Sequence, residues 1–222
     1  MQSPRSSLTL RSASPGLRWT RRATVRVAAV AIASIAVLGL TGCSRSDETS
    51  ARHECQANLQ QLAGLFAAVQ AAAAPGWVPP SGPALFLGWR AEGRKIRAGQ
   101  ESVLICGNDP LARAPETPEE RAAYDTVDLT KPPRALCSYA VRDFATFPLT
   151  PGGATPEPIA ACIHHGETFT ARGGVNVAYS DGSARFLGYE ELGVSSSDDV
   201  TVGPASKAPL LRTLIYGDGS VK

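Results

Sequence analysis

Residues 173–187 read GGVNVAYSDGSARFL, and this stretch decides the fold class. Val175-Asn176-Val177-Ala178-Tyr179 and Ala184-Arg185-Phe186-Leu187-Gly188 carry the β-branched and aromatic residues of strands, with Ser180-Asp181-Gly182-Ser183 between them. Asp-Gly at the two central positions is a strong hairpin signal because both residues tolerate positive φ. With Ser180 opposite Ser183, Val177 faces Phe186 and Tyr179 faces Ala184. The pair then has one apolar face, suited to cover a helix.

A helix to meet that face lies upstream. Cys55, Leu59, Leu62, Phe66 and Val69 recur at spacings of 4, 3, 4 and 3, which lines one helical face, with Leu65 beside it and Gln56, Asn58, Gln60 and Gln61 on the others. The run extends from about Arg52 to Ala74 and stops at Pro75-Gly76. One amphipathic helix cannot bury its stripe alone, so the expected fold is α+β: an amino-terminal helix packed on a small antiparallel sheet that ends in the hairpin. Ser102–Cys106 (SVLIC) and Ala135–Val141 (ALCSYAV) are further candidate strands. Thr117-Pro118-Glu119-Glu120 reads as the capped start of a short helix ending near Tyr124. Connections rich in Pro and Gly run from Gly76 to Pro83 and from Thr150 to Pro158. Residues 55–193 form the expected domain, and 194–222 a polar tail with one edge strand within Ala208–Tyr216.

The amino terminus has a different chemistry. Residues 1–42 hold six arginines and no acid, which leaves 16 basic and 20 acidic side chains in the remaining 180 residues. A mildly acidic mature chain argues against nucleic acid as a partner, because that affinity rests on clustered Lys and Arg. Val27–Leu40 (VAAVAIASIAVLGL) has no charge over 14 residues, short for a bilayer span of about 20 and suited to the apolar core of a cleaved signal peptide. Leu40-Thr41-Gly42-Cys43 resembles the lipobox of bacterial lipoproteins, in which a lipid is attached to the cysteine thiol and the chain is cut just before it. Cys43 is therefore the expected lipidation site and the membrane the expected partner. Ser44, where an Asp would mark retention at the inner membrane, resembles an outer-membrane address in a diderm cell. Residues 43–54, with the polar run Ser44–His53 (SRSDETSARH), are expected to act as lipidated cysteine and flexible tether.

Cys55, Cys106, Cys137 and Cys162 are even in number in a chain placed outside the cytoplasm, so two disulfides are expected. Three pairings are open; a Cys106–Cys137 bridge would leave Cys55 for Cys162. Buried free thiols are the plainer alternative. A metal reading rests on Cys162, His164, His165 and Glu167 in CIHHGE. It lacks a C-x₂-C pair, and adjacent histidines on a strand point to opposite faces, so only one could readily join Cys162. The histidines are accordingly read as structural or surface residues, with no metal or cofactor assigned. No Gly-x-Ser-x-Gly elbow or other nucleophile signature is present, so no catalytic residue is assigned either.

Taken in order, CQANLQQL at 55–62, LICGNDP at 104–110, CSYA at 137–140 and GGVNVAYSDGSARFL at 173–187 resemble the pseudopilin-like proteins with a prepilin-type H-X9-DG domain, the DUF1559 family. The resemblance implies a pseudopilin-like fold. Two departures stand out. A lipobox replaces the long apolar helix that packs such proteins into filaments, and Ala171 occupies the position of the signature histidine, nine residues before Asp181. The expected role is a lipid-anchored envelope protein with a non-enzymatic binding or structural function toward another envelope component. The alternative is a metal-binding or hydrolytic domain using His164 or His165, Glu167 and Asp181.

Overall fold

The computed structural model describes residues 43–150, 153–165 and 173–220. Residues 1–42, read above as a signal peptide, and Glu167 and Ala171 lie outside the described residues. Among the described residues no helix is long and apolar enough to cross a membrane.

The fold is α+β. Helix α1 (Cys43–Ala72) lies on a five-stranded antiparallel sheet of order β4-β3-β2-β1-β5, with β1 at Ala140–Arg142, β2 at Pro158–His165, β3 at Gly174–Tyr179, β4 at Ala184–Gly188 and β5 at Leu214–Ile215. Cys55, Leu59, Leu62 and Phe66 are buried along one side of α1. Ala160, Ala178 and Ala184 are the small residues beneath it, which let the helix approach the sheet closely. Two glutamines expected on the outer faces instead hold the hairpin. The Gln60 side chain accepts the Ala184 N–H at 2.8 Å and donates to the Gly182 carbonyl, while Gln56 donates to the Ala184 carbonyl at 3.2 Å.

The hairpin itself is one residue out of the expected register. Ala178 faces Ala184, Val177 faces Arg185 and Asn176 faces Phe186. The turn has three residues rather than two: Tyr179 N–H donates to the Ser183 carbonyl at 2.8 Å, Gly182 N–H donates to the Tyr179 carbonyl at 3.1 Å, and Gly182 sits at φ +88°. A left-handed glycine after a type I turn makes a bulge that absorbs one residue. Because side chains alternate, that slip turns the strongest apolar set of the hairpin to the other side of the sheet. Val175, Val177, Tyr179 and Leu187 pack away from α1, into a second core.

The second core is closed by the tail. Val200, Val202, Ala208, Leu211, Leu214 and Tyr216 are buried there, after a short helix at Tyr189–Leu192. Within the expected polar tail 194–222, the described residues to 220 thus form a structural layer. The edge strand expected in it exists as β5, paired with β1. The tail escaped notice because its apolar residues are spaced by Pro, Gly and Ser with neither helical nor strand period.

Other expectations also change. Ser44–His53 lies inside α1; the run contains no Pro or Gly, so nothing in it stops a helix already nucleated downstream. Ser102–Cys106 is not a strand: Ser102–Leu104 belong to a 3-10 turn at Glu101–Leu104, and of the second candidate only Ala140 and Val141 lie in the sheet, in β1. Glu101 is pinned by Arg90 at 2.7 Å, and Arg90 also binds Asp125 at 2.6 Å. This ion triad ties the turn to α2 (Ala84–Ala91) and α3 (Pro118–Asp125). Helix α3 starts with the expected cap: Thr117 Oγ1 accepts the Glu120 N–H at 3.2 Å, and the Glu120 carboxylate accepts the Thr117 N–H at 3.3 Å.

Candidate metal centre

Between α1 and the sheet lies a group of soft ligands. The Sγ atoms of Cys55, Cys106 and Cys162 and an imidazole nitrogen of His165 all lie within 4.8 Å of one another. Each residue is at most 2% exposed. Cys55 comes from the apolar stripe of α1, and Cys106 follows the 3-10 turn, where its N–H donates to Ser138 Oγ at 2.9 Å. Cys162 and His165 both come from β2. Three residues apart on a regular strand, they would face opposite ways. The pairing with β3 slips between them, Cys162 facing Asn176 and His165 facing Gly174, and this bulge brings both side chains to the α1 side. Gly174 is required at that point, since a Cβ there would stand 2.1 Å from the Leu187 carbonyl oxygen.

The two expected disulfides are not seen among the described residues. All four cysteines are free thiols, and the three that converge do so with a histidine. Cys137 stands apart: its thiol donates to the Tyr139 carbonyl at 3.8 Å, and burial pushes it up to about 12. An even count of cysteines suggested pairs; the fold makes a group of three plus one.

Protonation follows from the contacts. Cys162 and Cys55 hydrogen-bond to Cys106 and hold its thiol well below the usual thiol range, against the opposing effect of burial. Cys55 is raised, chiefly by Cys106, and Cys162 is raised by burial and then by Cys106. Cys106 is thus the most acidic of the three, set between two thiol donors. A cation at the centre would displace those two protons and make all three sulfurs ligands.

The donor set and its size point to a single ion. Three thiolates and an imidazole suit zinc, whose bonds of about 2.3 Å to sulfur give a tetrahedron with edges of about 3.8 Å. His165 presents Nε2 to the group, 3.4 Å from Cys106 Sγ, while its Nδ1 lies 3.4 Å from the Asn108 side-chain amide. Metal ligation through Nε2 would place the proton on Nδ1; the Asn108 amide, which presents Nδ2 there, would accept that proton after a flip that brings its oxygen to the same place.

Of the residues of the alternative reading, Cys162 and His165 belong to this group and Glu167 lies outside the described residues, while His164 and Asp181 stand elsewhere. His164 points away from the thiols and accepts from Arg134 Nη2 at 2.6 Å, near Asp109 Oδ2 and the Tyr216 hydroxyl, both at 3.5 Å. Arg134 also pairs with Asp109 at 2.7 Å and stacks on the Tyr216 ring at 4.0 Å. Burial, the largest influence, and the neighbouring guanidinium depress the imidazole, which fits an acceptor locked in place. Asp181 is a turn residue, its Oδ1 accepting from the Ser183 N–H at 2.9 Å and hydroxyl at 2.6 Å. Sequence reasoning missed Cys55, Cys106 and Asn108 as members of one centre; the Cys162-x₂-His165 spacing was its visible trace.

No protein-family model matches the chain, and no curated protein or solved structure is significantly similar to it.

Proposed function

We propose that the chain is a lipid-anchored bacterial envelope protein whose α+β domain is built around a structural zinc ion held by Cys55, Cys106, Cys162 and His165. The observation that carries this reading is the convergence of four buried ligand atoms within 4.8 Å. Four protein ligands complete a tetrahedron and leave no position for substrate or water, which favours a structural over a hydrolytic metal. The ion joins α1, the loop after the 3-10 turn and β2, three segments distant in sequence. The role toward the rest of the envelope is non-enzymatic binding or support. The lipobox ending at Cys43 supports the anchor, and the four sequence blocks support a pseudopilin-like origin of the domain.

The test is the intact mass, amino-terminal sequence and elemental content of protein extracted from the membrane, beside a Cys43→Ser variant. The reading expects a mature chain starting at Cys43 with acyl mass, absent in the variant, and one zinc per chain. An unlipidated chain retaining residues 27–40 overturns the anchor. A metal-free protein with its cysteines in disulfides overturns the centre.

A further inference from the structure

Asn176 is the one polar residue of the hairpin's central run, flanked by Val175 and Val177, and the hairpin alone gives it no task. Its side chain is wholly buried on the α1 side of β3, directly across from Cys162. One amide N–H donates to the Arg52 carbonyl of α1 at 2.9 Å, and the amide is also within hydrogen-bonding reach of the Cys55 thiol. Its Oδ1 has no partner among the described residues. The orientation is fixed, because the reverse flip would set the amide oxygen against the Arg52 carbonyl oxygen.

A buried unpaired amide oxygen is costly, and an apolar residue at this strand position would avoid that cost. Arg52 lies within α1, so its carbonyl has a helical partner without Asn176. Stabilisation of the thiolate centre offsets the cost. Zinc with three thiolates and a neutral imidazole carries a net charge of −1, and a buried charge needs donors around it.

We infer that Asn176 is a positioning residue of the metal centre, its amide N–H donating to Cys55 Sγ while its second N–H fixes the turn of α1 that presents Cys55. This rests on the zinc reading above. The second N–H explains the contact with Arg52, one turn of helix before Cys55. The same amide thus sets both the charge and the position of one ligand.

The test compares wild type with Asn176→Val, measuring zinc affinity by chelator competition and the thiolate-to-cobalt charge-transfer spectrum of the cobalt-substituted protein. The expected result is zinc binding about 10–100-fold weaker and a shifted charge-transfer band, with the metal-free protein no less stable than wild type. Should that variant fail to fold, Asn176→Ser, too short to reach Cys55, serves in its place with the same expectation. Unchanged affinity and spectrum with only an altered melting temperature would make Asn176 a packing residue and overturn the inference. Wild type that binds neither zinc nor cobalt would instead overturn the zinc reading itself.

Discussion

The two faces of the sheet are covered by different chemistry. Toward α1, the sheet offers alanines, the Cys162 thiol, a histidine and an asparagine, met by the thiols of Cys55 on α1 and Cys106 in the loop. Toward the carboxy-terminal segment it offers Val175, Val177, Tyr179 and Leu187 against Leu192, Val200, Val202, Leu211, Leu214 and Tyr216. The second face needs only area removed from water. On the first, apolar contact is interrupted at the middle by polar groups whose burial is costly unless something satisfies them. A single ion that binds all four ligands resolves that cost, so the difference between the faces is itself an argument for a metal.

The largest effect should come from removing the whole cover of the apolar face. A chain ending at Gly193 loses β5 and six large buried residues, and circular dichroism with thermal melting should show no cooperative transition. A folded, cooperatively melting truncate would mean that the α1 face suffices alone.

Next in size is Cys162→Ala, which removes a ligand from β2. It should abolish stoichiometric zinc and lower the melting temperature, while adding a chelator should bring wild type down to the level of the variant and leave the variant unmoved. The matching change on the other face, Leu211→Ala, should cost about 2–5 kcal/mol in urea unfolding with zinc content intact. If Leu211→Ala releases zinc, the two faces are not energetically separate. Smallest of the four is Gly182→Ala at the hairpin turn, where φ is +88°. Forcing a Cβ into the left-handed region should cost about 1–2 kcal/mol, again without loss of metal.

The sequence was most legible where the signal is local. The cap of α3 can be read directly, since Thr117, Pro118 and Glu120 act within one turn of chain. The hairpin was visible in Asp181-Gly182, but its register was not: two- and three-residue turns both accept that dipeptide, and the one-residue difference exchanges the faces. Helix α2 escaped because Leu85, Phe86, Leu87 and Trp89 are buried all round, leaving no amphipathic period to find. Strand β2 was hidden by its irregular pairing at both ends. The centre was legible only as an even set of cysteines and the Cys162-x₂-His165 spacing. Which of them meet depends on the path of α1 over β2 and on a bulge between Cys162 and His165, and neither is a property of neighbouring residues.

The central claim is that one zinc ion sits among three sulfurs and one nitrogen. X-ray absorption at the zinc edge of the purified full-length protein measures that shell directly. The account predicts three sulfur neighbours at about 2.3 Å and one nitrogen at about 2.0–2.1 Å. A shell of oxygen and nitrogen alone, or no bound zinc, would contradict it.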